Sequence, residues 1–147
     1  MKHLILSLIC GILILTGCSA GAEPPKEITD TAVYEQTEAV IEEAVTDTEN
    51  GTIRIYFTFK NNGSVGMYMY ESFAVRAFQD DVQLTEVTDI NDDPESASVL
   101  TEVKDGESIR CSYVFQLNSA SSVEVRICTP TADEELLAQK IFPVSEE

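Results

Sequence analysis

Residues able to do chemistry are few and far apart in this chain. Its single histidine is His3, and its four cysteines are Cys10, Cys18, Cys111 and Cys128. A nucleophilic triad needs a base beside Ser or Cys, a glycosidase needs paired carboxylates across a cleft, and a phosphate user needs a glycine-rich loop before a helix. The first is missing and the last is absent, and a small sandwich rarely supplies a deep cleft for the second. The expectation is a non-enzyme with no cofactor. Cys111 and Cys128 could form a disulfide outside the membrane. If Leu117 faces Ser122 across a turn, Cys111 falls opposite Cys128, but the apolar faces of the two strands then fail to match. Either a bulge shifts the register or the thiols stay free.

Two further clusters carry candidate ligands. Residues 89–95 gather the hard oxygen donors Asp89, Asn91, Asp92 and Asp93, a weak calcium candidate. Their spacing departs from the EF-hand loop and no glycine supplies its bend, so a solvated acidic loop is the better reading. Met67-Tyr68-Met69-Tyr70 would place two thioethers on one side of an extended segment and two phenols on the other. Copper carriers generally combine Met with His, so core packing of the methionines is preferred. Tyr68 and Tyr70, together with Tyr56, could instead form an exposed aromatic platform for peptide or glycan.

The elements that would hold these residues begin with a leader. Met1, Lys2 and His3 give a polar, positive start, and residues 4–15 form an almost purely apolar run too short to span a bilayer. The run ends in Leu15-Thr16-Gly17-Cys18, which resembles the lipobox of bacterial lipoproteins. That resemblance implies signal-peptidase recognition through Leu15, Thr16 and Gly17, cleavage before Cys18, and a lipid on its sulfur. The mature chain would then sit on the extracytoplasmic face of the cell membrane and hold no histidine, which removes histidine catalysis and histidine metal sites. Net charge is −17, from 26 acidic and nine basic residues, so a basic nucleic-acid patch is excluded.

Residues 18–37 read as a lipidated flexible linker, rich in Gly, Ala, Glu, Pro and Thr. Beyond it, period-two alternation separated by turn residues argues strands. The clearest is 52–60, where Ile53, Ile55, Phe57 and Phe59 alternate with Arg54, Tyr56, Thr58 and Lys60. Others are read at 39–46, 72–78, 82–84, 99–103, 109–117, 122–128 and 136–144. Asn61-Asn62-Gly63-Ser64 is taken as a turn using positive φ, and 88–98 as a polar loop. Residues 38–44 and 133–139 could each form a helical turn instead. The fold expected for 38–147 is an all-β, antiparallel sandwich of about seven or eight strands.

Ile55-Tyr56-Phe57-Thr58-Phe59-Lys60-Asn61-Asn62-Gly63-Ser64, Val75-Arg76-Ala77-Phe78-Gln79-Asp80, Lys104-Asp105-Gly106-Glu107-Ser108 and Ser122-Val123-Glu124-Val125 together resemble an uncharacterised family. It is a domain of unknown function in surface lipoproteins of Gram-positive bacteria, with an immunoglobulin-like sandwich, and the similarity covers about residues 38–144. Its pattern has Gly after Gln-Asp where this chain has Asp81, which questions the tightness of that hairpin. With no Trp and no Cys–Trp–Cys arrangement, the chain is not an antibody-type domain. The resemblance implies location and architecture without an active site. Three roles remain: a module binding a protein or wall polymer, an accessory subunit of a membrane transporter or sensor, and a small-molecule or metal carrier.

Overall fold

The computed structural model of the chain describes residues 27–88 and 93–144. The leader with Leu15, Thr16, Gly17 and Cys18, and Asp89, Asn91 and Asp92 of the acidic loop, lie outside the described residues. Nine strands form two antiparallel sheets: β1 (Thr31–Tyr34), β2 (Thr37–Asp47), β3 (Thr52–Asn61), β4 (Ala74–Gln79), β5 (Val82–Gln83), β6 (Glu86–Val87), β7 (Ser108–Gln116), β8 (Val123–Cys128) and β9 (Leu136–Phe142). One sheet runs β1-β2-β3-β7-β6 and the other β5-β4-β8-β9. Two single-turn helices, α1 (Met69–Ser72) and α2 (Pro94–Ala97), and a 3-10 turn, Ser98–Leu100, lie in the connections.

The alternation read from the sequence sets which face is buried. Ile53, Ile55, Phe57 and Phe59 of β3 have no exposure at all, nor do Val123, Val125 and Ile127 of β8. At roughly 1.5–3 kcal/mol for each large apolar side chain, these residues drive the two sheets together. Phe57 meets Tyr113 of β7 edge to face at 5.7 Å, and Phe59 meets Phe73, just ahead of β4, at 6.2 Å. Met69 is fully buried and Met67 packs partly against the core, so the methionines are packing residues. Their segment is only half extended: Met67 and Tyr68 are, but Met69 and Tyr70 begin the helical turn α1, with Ser72 N–H donating to the Tyr68 carbonyl.

Cys111 and Cys128 are free thiols, both buried. The expected hairpin between their strands does not form: β7 pairs with β3, opposing Cys111 to Phe57, while β8 pairs with β4 and β9. The parity conflict is resolved because the two apolar faces lie in different sheets and look at each other across the core.

Three other expectations are corrected. The linker gives way to structure earlier than 37, since β1 pairs with β2 and buries Ala32 completely, and Thr29 bridges in parallel to Ala138 of β9. Residues 99–103 form no strand; only Val103 bridges, to Met67. Asn61 to Ser64 uses no positive φ. Fully buried Asn61 does that work with its amide, donating to the carbonyls of Val65 (2.6 Å) and Val103 (2.9 Å) and accepting from Gly63 N–H (2.8 Å). Gln79 acts similarly between the sheets: it accepts from Asn118 N–H and Ser119 N–H and donates to the carbonyls of Ser119 and Ser121. Of the two ends suspected of helical turns, 38–44 lies in β2, while 133–139 is a turn leading into β9 from Leu136.

A bulge in β2 between Ile41 and Ala44 leaves carbonyls without ladder partners. Lys140 of β9 donates to two of them, Ile41 O at 3.0 Å and Glu42 O at 2.6 Å, tying the sheets at that edge. The β4–β5 hairpin is tight despite Asp81. Asp80 (φ 49°) and Asp81 (φ 64°) are its two loop residues, the positive pair that a type I′ turn needs. Because only glycine enters that region without steric cost, Asp81→Gly should stabilise the domain by about 0.5–1 kcal/mol, read as a raised urea midpoint at unchanged slope.

Candidate functional site

On one flank of the sandwich both edge strands are only two residues long. β5 covers Phe78 and Gln79 of β4, and β6 covers Val114 and Phe115 of β7, so the rest of each partner is left uncovered by a strand. Between them lies a cleft of about 430 Å³. It is lined by Val75 of β4 with Phe73 just ahead of it, and by Tyr113 from the other sheet, and the 3-10 turn adds Val99 and Leu100. Arg76, Glu86 and Glu134 stand around it.

Each polar group has a traceable origin. Opposite residues of an antiparallel pair project to one face, so Glu86, paired with buried Phe115, points between the sheets. It is exposed, yet desolvation raises its carboxyl above the usual range, with Arg76 the opposing influence. Arg76 projects from the other face of β4; its guanidinium contacts Glu134 at 2.5 Å and donates to the Val75 carbonyl at 3.0 Å. Burial pushes the Tyr113 phenol up, and the charges of Cys111 and Glu86 add to this. Above the cleft, Ser96 and Ser112 share a hydroxyl contact of 3.1 Å, and Arg54 donates to both at 2.7 and 3.0 Å. A serine beside a guanidinium is held in place rather than activated.

The residues singled out from the sequence are dispersed. Tyr70 lines the cleft, about half exposed, with its hydroxyl donating to Glu71; Tyr68 lies beside it at 5.8 Å between ring centroids. Tyr56 is elsewhere, on the outer face of the five-stranded sheet, with the Arg110 guanidinium 4.2 Å above its ring. It lines a separate hollow with Val45, Arg54 and Val87, so the three tyrosines form no single platform. Asp93 spends its carboxylate on Arg54 and on capping α2, where it accepts from Glu95 N–H. Sequence reading missed Arg76, Glu86, Tyr113 and Glu134 because they come from four segments. The one local signal was Tyr113, a polar-headed ring amid an otherwise apolar strand face.

Residues 19–127 match the model of a family described as a domain of unknown function, DUF5067. No curated protein matches the chain. Among solved structures, the sandwich is similar to a "putative lipoprotein" from Staphylococcus aureus, with 12% identity and a TM-score of 0.61 over 82% of this chain and 92% of that one. It is also similar to a protein so described from Bacillus subtilis, with 8% identity and a TM-score of 0.56; there it covers 82% of this chain and 40% of the other. At these identities the likeness is one of fold. No helix among the described residues is long and apolar enough to cross a membrane.

Two outcomes follow from the electrostatics. A raised Glu86 pKa means that the folded state binds more protons than the unfolded one between their two pKa values, so stability falls as pH rises through that window. Glu86→Gln should therefore melt at a higher temperature than wild type at pH 7 and at the same temperature below about pH 4, below the unfolded carboxyl value. The Cys111 thiol is pushed up to about 12 by burial, then by Glu42 and Glu95, and the Cys128 thiol is raised by burial, then by Glu134. In mass-mapped alkylation at pH 8 without reductant, both should stay unmodified in the folded protein and both react once it is unfolded.

Proposed function

The chain belongs to the DUF5067 family, a domain of unknown function, and from that premise we propose that it is a lipid-anchored, immunoglobulin-like module that binds a protein or cell-wall partner outside the cell without catalysing a reaction. The observation that carries this reading is the sequence Leu15-Thr16-Gly17-Cys18 closing a short apolar leader. The family match beginning at residue 19, directly after that cysteine, supports it. The strand order supports the immunoglobulin-like assignment: β2-β3-β7-β6 against β4-β8-β9 follows the order ABED against CFG, with β1 and β5 as added edges.

The anchor fixes how far the module can reach. From Cys18 to the bridge at Thr29 is a stretch of chain that, fully extended, spans about 36 Å. The domain would stay close to the bilayer, facing partners within or just beyond the headgroups and inner wall. An acidic surface keeps it off anionic headgroups, so the acyl chains hold it there.

Labelled palmitate and membrane fractionation test the anchor. Wild type should take up label and sediment with membranes, and Cys18→Ser should do neither. Wild type without label, partitioning as the variant does, would end this reading.

A further inference from the structure

The cleft on the flank is more than a surface depression, because it exposes strand edge. Alternate residues of a strand turn their N–H and C=O to the same side. In β4 the Ala77 carbonyl accepts from Leu84 N–H on the β5 side, and Phe73 N–H, just before the strand, reaches the Met69 carbonyl. Val75, of the same parity, therefore turns its backbone groups away from β8 and toward the cleft. No described strand covers it there. Its carbonyl is held by the Arg76 guanidinium, whereas its N–H has no ladder partner on that side among the described residues. The Tyr113 ring lines the same cleft, and its hydroxyl makes no hydrogen bond among the described residues either.

The charges say what could lie along this edge. Arg76 is neutralised by Glu134, which leaves Glu86 as the inward-pointing carboxylate without a salt bridge among the described residues. Inward charges on edge strands repel strands that bring no compensating charge. A second copy would bring its own Glu86 and its own net charge of −17, so self-pairing is opposed. A strand carrying Lys or Arg meets the opposite condition. The apolar lining of Phe73, Val75 and Val99 would cover the stem of such a side chain or a neighbouring apolar residue.

We propose that the cleft between β4 and β7 binds an extended basic segment of a partner polypeptide, which adds a short strand to β4 at Val75 and sets a Lys or Arg side chain against Glu86. The proposal rests on the reading of the protein as a surface binding module and names the partner as polypeptide rather than glycan. Backbone carbonyls of the incoming segment accept from Val75 N–H, and one polar group of it bonds the Tyr113 hydroxyl.

The test uses the purified full chain and a synthetic array of random heptapeptides. Expected are enriched peptides that alternate apolar residues with Lys or Arg and slow hydrogen exchange at the Val75 amide. N-methylation of the peptide amides that would join the β4 ladder should weaken binding at least tenfold. Glu86→Gln should do the same, and Tyr113→Phe should weaken it severalfold. Each variant must keep the wild-type melting profile or better. Absence of enrichment overturns the proposal, as does binding that N-methylation and Glu86→Gln leave unchanged. Slowed exchange at Val75 on raising protein concentration alone would assign the edge to a second copy. Binding of soluble peptidoglycan fragments in place of peptides would overturn the polypeptide assignment and leave the surface-module reading standing, while a failed palmitate label would remove that reading without touching the cleft result.

Discussion

Burial of the inner face of β3 is the constraint on which the other features depend. Its four alternate residues Ile53, Ile55, Phe57 and Phe59 are fully buried. A shift of pairing by one residue would turn all four to solvent and Arg54, Tyr56, Thr58 and Lys60 into the core, so the register against β2 and β7 has no competing alternative. With β3 fixed, β7 must present Cys111, Tyr113 and Phe115 to the core and Ser112 to the opposite face of the sheet, where Ser96 of α2 covers it. The cleft inherits its chemistry from this parity. Tyr113 lines it because it opposes Ile55, and Glu86 turns inward because it opposes Phe115.

Where a strand has one buried face and several residues of alternation, the sequence states its position directly, as it does for β3, β7 and β8. Where the element is stabilised by contacts distant in sequence, it does not. β1 has four residues in a segment whose composition reads as linker, and it becomes a strand because β2 offers it an edge and Ala32 a buried slot. Residues 99–103 have the composition of a strand, but Val99 and Val103 reach the core from a turn and from a single bridge. Sheet membership was also hidden. Short loops between neighbouring strands read as hairpins, yet residues 117–122 carry the chain from one sheet to the other, with Gln79 organising the crossing. The cleft was illegible for the same reason: no local window contains Arg76, Glu86, Tyr113 and Glu134 together.

The polar residues inside the sandwich divide into two kinds. Asn61 and Gln79 have their side-chain hydrogen-bonding capacity taken up by backbone groups of connecting segments, and they make the turns definite where glycine or proline would otherwise be needed. Tyr113 and Glu86 are different, since both line the cleft and neither side chain makes a hydrogen bond or salt bridge among the described residues. Groups of the first kind specify the fold, and groups of the second are available to something else. The charges follow a similar division. Arg110 sits among Glu42, Glu43 and Glu95 on the outer face of the larger sheet, an exposed network worth little individually.

The parallel bridge between Thr29 and Ala138 has a mechanical consequence. Gln139 N–H donates to the Thr29 carbonyl, Ile41 N–H donates to the Asp30 carbonyl, and both bonds lie across the direction of the chain. Tension applied ahead of Thr29 therefore acts along the strands and strains these bonds side by side, in shear, instead of peeling them open one after another. The Lys140 ammonium, bonded to the β2 bulge a few residues away, adds a further transverse link. Load entering at the N-terminal end is thereby shared between both sheets before any single strand can be pulled free.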